Sequence, residues 1–381
     1  LPVAAALLMA ACGDDGGSSS GDTTTTAGGG AAGDVSLKGT CPDTVVIQTD
    51  WFPESEHGGT YQLLGDGYKV DTEKKKVSGP LVASGGKDTG VVVEIRTGGP
   101  AIGDQTVSAV MKQDPSILLG FVSTDEQVSL SAEIPTVAVM APLDKNPQFI
   151  MWDPGTYPEA KTIKDLKAKN VKIRYFPGGS FMDYLIANGD VDKAQADSSY
   201  NGDPSLFIAD GGKSAQQGFV SAEPYTYKTI LADKWGKDVA YQLIHDTGWE
   251  LYSQALVVTA DKLDASKACL KKLVPIMQQA IVDYGKAPDE TDKVIVDLVK
   301  QYATFWQYDD GQAKFSLKTQ KELGLVGNGP DKTVGNFDEA RVDAFVKKAI
   351  PVYQSLGKKP KEGLKASDIV TNEFIDTSIG V

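Results

Sequence analysis

The sequence is poor in the residues that most often carry chemistry. Its 381 residues include three cysteines, two histidines (His57 and His245) and three arginines (Arg96, Arg174 and Arg341). So few cysteines exclude a disulfide-dense scaffold or a zinc ribbon. Two histidines leave little material for a histidine-rich metal site, so neither a metal nor a cofactor is expected. Basic residues number 38 against 51 acidic ones, for a net charge of −13. The basic stripe that neutralises phosphates is missing, and nucleic acid is excluded as a main partner. No apolar run reaches the length of a membrane span, about 20 residues. There is no Gly-x-Ser-x-Gly elbow and no His-Glu-x-x-His, so no enzyme and no catalytic residue is expected.

What remains is an ordinary globular composition, 41% hydrophobic and 23% charged, long enough for two or three domains. Residues 1–11 are apolar, short and end in small side chains, like the core of a secretory signal. Met9-Ala10-Ala11-Cys12 resembles a bacterial lipobox. That resemblance implies cleavage before Cys12, a lipid on its thiol, and anchoring on the outer face of the bacterial cytoplasmic membrane. Residues 13–34 contain only Gly, Ser, Thr, Ala and Asp and are read as a flexible tether; its four Asp supply part of the acidity. An exported chain sits in an oxidising compartment, where Cys41 and Cys269 are expected to form a disulfide. The alternative is two unpaired buried thiols.

Short β-branched runs over 44–48, 91–95, 117–122, 136–140, 171–175, 206–208 and 255–259 are expected to be strands. Apolar stripes at helical spacing alternate with them: Leu270, Leu273, Val274, Met277 and Ile281; Val294 through Trp306; Val342, Phe345, Val346 and Ile350. Thr162–Asp165 and Ser180–Asp183 fit capping boxes, the second with Ser180 as the cap. This alternation predicts α/β layers with largely parallel sheets. A proline-rich, irregular stretch over 141–158 separates two α/β blocks, and a strand and long helices follow the second. The expectation is a bilobal fold. Residues 35–145 and 250–381 form lobe 1 with C-terminal helices, 146–249 form lobe 2, and two crossings make a hinge. Trp152 and Trp249 are expected to pack there.

A cleft between lobes is a natural ligand site. The strongest candidate for it follows the first strand: Asp50-Trp51-Phe52-Pro53-Glu54-Ser55-Glu56-His57-Gly58-Gly59-Thr60-Tyr61. Ligands in α/β sheets bind beyond the carboxyl ends of strands. Trp51 and Tyr61 are expected to sandwich a flat ring, with Asp50 or His57 hydrogen-bonding its edge. The loop before a helix at Gly178, Gly179 and Ser180 offers free backbone N–H groups. Glu223 and Tyr225 are placed across the cleft, and Gly99, Thr124, Tyr200 and Asn201 are weaker candidates.

The spacing Asp-Trp-x-Pro-x-x-x-His-x-Gly-x-Tyr resembles the opening motif of ABC-transporter substrate-binding proteins of the thiamine-pyrimidine-precursor type, within the nitrate/sulfonate/taurine binding-protein class. Asp144-Lys145-Asn146-Pro147 resembles that family's crossing segment. Residues 218–225 resemble its late lobe-2 segment. The stretch 68–90 looks longer than the family's. The resemblance implies a type II periplasmic-binding-protein-like fold and a monomer that delivers a small ligand to an ABC permease and its ATPase. The clustered aromatics favour a planar heteroaromatic ligand, either a thiamine pyrimidine precursor or a flavin-like ring. The alternative is a nitrate, sulfonate or taurine-like anion. Pyrimidine-synthase enzymes share this fold and use a motif histidine, for which His57 would stand, but the cysteine cluster they use for iron is missing.

Overall fold

A computed structural model describes residues 35–381 of the protein. The signal, lipobox and tether expected at the N-terminus, Cys12 included, lie outside the described residues. The chain first lays down β1 (Thr44–Gln48), β2 (Lys69–Asp71), β3 (Lys76–Ala83), β4 (Lys87–Arg96), β5 (Ile117–Val122) and β6 (Thr136–Met140). It then crosses to build a second sheet from β7 (Gln148–Trp152), β8 (Ile173–Arg174), β9 (Ala196–Asp197), β10 (Ala215–Phe219) and β11 (Ala240–Leu243). It returns with β12 (Ala255–Thr259), which inserts between β5 and β6. The first sheet runs β2-β3-β4-β1-β5-β12-β6 and the second β11-β7-β10-β8-β9. This is the bilobal type II arrangement.

Both sheets are mixed rather than largely parallel. β1 is parallel to β4 and β5, but β12 is antiparallel to both of its neighbours because it enters from the other lobe. β2 and β3 form a hairpin on the edge of β4, which accounts for the extra length over 68–90. β1, β5, β6 and β12 are almost wholly buried, which fits near-continuous apolar runs covered on both faces.

The α-helices are α1 (Gly58–Tyr61), α2 (Val107–Gln113), α3 (Thr124–Leu130), α4 (Ile163–Ala168), α5 (Ser180–Ala187), α6 (Ser205–Ala209), α7 (Glu223–Tyr225), α8 (Leu263–Lys286), α9 (Asp289–Tyr302), α10 (Asp310–Glu322), α11 (Glu339–Ser355) and α12 (Ala366–Ile369). α8 buries the expected stripe, and α4 begins with the expected Thr162–Asp165 capping box. Four other expectations are corrected. Residues 206–208 belong to α6; only Phe207 is buried, and a three-residue apolar run does not distinguish strand from helix. Gly179, not Ser180, caps α5, which frees the Ser180 hydroxyl for other partners. α9 stops at Tyr302 because Ala303 takes a left-handed conformation at φ 49°, so Phe305 and Trp306 leave the helical stripe. The stretch 141–158 contains β7 rather than irregular chain alone.

Cys41 and Cys269 are disulfide-bonded, with Cα atoms 4.7 Å apart, and tie the chain before β1 to the first turns of α8. Trp152 and Trp249 are buried in a core that spans residues of both sheets, Trp249 stacked on Tyr184 at 4.7 Å. Arg341 of α11 binds both crossings. It donates to the carbonyl of Asp144 at 2.7 Å and to those of Glu250 and Leu251 at 2.9 Å, and lies 4.0 Å over the Tyr252 ring. Among the described residues no helix is long and apolar enough to cross a membrane.

Candidate functional site

The carboxyl ends of β1, β4, β5, β8 and β10 open onto one cavity of about 580 Å³ between the two sheets. A second cavity, about 390 Å³, lies behind 55–60 against α8 and α10, and Met277, Ile281, Val282 and Leu317 are among its lining residues. The first is the candidate, because polar and aromatic side chains from both lobes converge there.

β1 delivers Asp50 and Trp51. Their backbone is fixed by Thr49, whose hydroxyl donates to the Trp51 carbonyl at 2.7 Å, and by Gly98, whose N–H reaches the same carbonyl at 3.1 Å. The turn after β4 has to be glycine. A Cβ at Gly98 would sit 2.1 Å from the Thr49 carbonyl oxygen, and one at Gly99 (φ +57°) 2.5 Å from the Trp51 ring. Trp51 meets Phe176 of the other lobe edge-on at 5.7 Å and Trp306 at 5.9 Å.

The ionisable lining is of one sign. Asp50, Glu54, Asp104, Asp125, Glu126 and Glu223 face the cavity, and among the described residues no Lys, Arg or His does. Glu54 is buried, and its carboxyl accepts a long 3.4 Å hydrogen bond from Gln254 Nε2. Burial, then the nearby Glu56, Asp50 and Glu223, push its carboxyl well above the usual range. Burial likewise raises Glu56. It lifts Glu126 and Glu223 to about 7, against the hydrogen bonds that Ser108 gives Glu126 and the Phe219 N–H gives Glu223 at 2.6 Å. Gln254, at φ 54°, is a buried residue held in a left-handed conformation, as is found at ligand clamps. Its Oε1 has no hydrogen-bond partner.

Of the residues singled out from sequence, Asp50, Trp51, Gly99, Gly179, Tyr200, Asn201 and Glu223 line this cavity. His57 is buried behind it and reaches Asp50 Oδ1 through Nε2 at 2.8 Å. Tyr61 is in the first-lobe core and does not form the other face of a sandwich with Trp51, because α1 turns it towards α8 and α9. Thr124 is buried, its hydroxyl near the Tyr252 backbone. Ser180 donates to Asp125 across the lobes at 2.7 Å and accepts from Tyr353. Gly178 does not line the cavity, and Tyr225 packs against Phe315. Sequence reasoning missed Glu54, Glu126, Gln217, Gln254 and Trp306. For Glu54 the signal was present, a carboxylate inside the motif already singled out.

No family model matches the chain, and no curated protein does. Solved structures do. The alkanesulfonate-binding protein of Xanthomonas axonopodis pv. citri, bound to MOPS, is similar over 87% of this chain and 99% of its own, at 12% identity and a TM-score of 0.54. The periplasmic aliphatic sulphonate-binding protein of Escherichia coli is similar over 84% and 95%, at 13% identity and a TM-score of 0.53. A Candida albicans protein described as having the generic periplasmic binding protein fold is similar over 88% and 98%, at 14% identity and a TM-score of 0.52. At such identities the likeness establishes the fold. The sulfonates named for the first two of these proteins match the anion alternative better than the heteroaromatic reading.

Proposed function

We propose that the protein is the extracytoplasmic solute-binding component of an ABC importer, anchored through Cys12, which captures a small ring-bearing molecule between its lobes and presents it to a permease and its ATPase. The observation that carries this reading is the cavity: Trp51 and Asp50 from one lobe face Phe176, Tyr200 and Glu223 from the other. A ligand touching both sides favours the closed lobes over open ones, as a shuttle requires. The aromatic lining suits a flat ring, and the carboxylates suit ring N–H or amino groups. The residues of the motif that resembles the thiamine-pyrimidine-precursor type support the same reading.

The sulfonate alternative draws on the fold relatives. The lining weighs against it, since among the described residues it offers an anion no Lys, Arg or His, and any carboxylate ionised about 4 Å from a sulfonate would repel it by about 4 kcal/mol at an effective dielectric near 20. Native mass spectrometry of the freshly purified protein tests the proposal. The expected result is a carried-over small molecule that Trp51→Ala loses. A protein that retains and binds no small molecule would overturn it.

A further inference from the structure

The charge balance of the cleft is one-sided. Asp50, Glu54 and Gln254 meet at one end of the cavity, where Gln254 Nε2 is shared between Asp50 Oδ1 at 3.3 Å and Glu54 Oε1 at 3.4 Å. The second Asp50 donor, His57 Nε2, reaches the same Oδ1. Gln254 is only 1% exposed, and among the described residues nothing donates to its Oε1. Glu223 closes the far side, where Tyr200 OH and the Phe219 N–H are its donors. Glu54 is buried, and a buried carboxylate with so few donors and no counter-ion is costly to ionise; among the described residues no Lys, Arg or His lines the cavity, so the site is short of positive charge. No group of His, Cys, Asp and Glu among the described residues is arranged to hold a metal ion, and the volume is that of a small-molecule site. The Trp51 indole supplies an aromatic face for cation–π contact.

We propose that the ligand is a small organic cation, a ring-bearing protonated amine or amidine, whose N–H groups lie among Asp50, Glu54, Gln254 and Glu223 with its flat face against Trp51. This assignment rests on the binding-protein reading and narrows its ligand to one sign of charge. Its charge is opposite to that of the ligands named for the sulfonate-binding proteins sharing the fold.

The test is calorimetric titration of the full chain near neutral pH with ring-matched compounds that differ in charge: benzamidine, benzamide and benzenesulfonate, then benzylamine, benzyl alcohol and phenylmethanesulfonate. Each cation is expected to bind at least about tenfold tighter than its neutral mate, and the sulfonates not at all. Glu54→Gln and Glu223→Gln are each expected to erase that preference without lowering the thermal midpoint. Equal binding of neutral and cationic mates, or preference for a sulfonate, overturns the charge assignment and leaves the binding-protein reading standing. Silence from every compound also overturns the charge assignment; the binding-protein reading falls with it only if native mass spectrometry finds no carried molecule.

Discussion

His57 Nε2 lies 2.8 Å from Asp50 Oδ1, and its imidazole is wholly buried while Asp50 opens to the cleft. The histidine thus acts on the site through another residue. It packs edge-on against Phe121 at 4.8 Å and holds the carboxylate at the lip of β1. His57→Ala is expected to weaken ligand binding about tenfold, with a further loss in stability from the cavity left behind. His57→Gln, which keeps a donor, is expected to recover much of the affinity. Full affinity in both variants would show that Asp50 needs no positioning.

Two buried carboxyls, Glu54 and Glu56, and two half-buried ones, Glu126 and Glu223, give the free protein a pH signature. Glu126 faces Asp125, Asp50 and Ser108. Glu223 faces Tyr200, Glu56, Tyr227 and the Phe219 N–H, and Glu54 faces Glu56, Asp50, Glu223 and Gln254. Glu56 faces His57 and the Ser221 and Ser316 hydroxyls. All four hold their protons more tightly folded than unfolded. Stability is therefore full below the ordinary carboxyl pKa and falls as pH rises, through about 7 for Glu126 and Glu223. Each of those two contributes on the order of 3 kcal/mol between the limits. The thermal midpoint should drop between about pH 5 and pH 8, and Glu126→Gln should flatten part of the slope. A midpoint rising over that range would contradict the burial argument. A bound cation should restore the loss at the upper end.

Much of this architecture is legible in the sequence for local reasons. β1 is a β-branched run with a motif at its end, and a strand's carboxyl end fixes where Asp50 and Trp51 project. Two cysteines in an expected oxidising compartment point to the disulfide. What escaped depends on backbone turns or distant partners. Tyr61 shares the motif with Trp51, yet one turn of α1 sends it into the core. Trp306 completes a helical pattern on paper, but the left-handed Ala303 ends α9 first. Gln254 reads as a polar residue before a strand; its role comes from meeting residues about 200 positions away.

Arg341 fastens both crossings through three backbone carbonyls. Arg341→Ala is expected to cost about 3 kcal/mol in chemical unfolding, because charge-assisted bonds are lost from a mostly buried site. Arg341→Lys should not rescue it, since an ammonium lacks the planar fork. Recovery by lysine would mean that charge alone matters.

The Cys41–Cys269 bond closes a loop with a sequence separation of 228, which restrains the unfolded chain strongly. Cys41→Ser with Cys269→Ser is expected to lose about 2–4 kcal/mol of stability. Ligand affinity should be unchanged, because neither cysteine lines the cleft. A matching loss of affinity would show that the bond shapes the site.

The central claim is that Trp51 and the facing carboxylates bind the ligand directly. It is tested most directly by titrating the tightest-binding amine or amidine into wild type, Trp51→Ala and Glu223→Gln, with the thermal midpoint of each measured without ligand. Both variants are expected to lose at least about 1.4 kcal/mol of binding, a tenfold weaker Kd, at little cost in stability. Wild-type affinity in both, or an affinity loss that only tracks unfolding of the lobe, would contradict it.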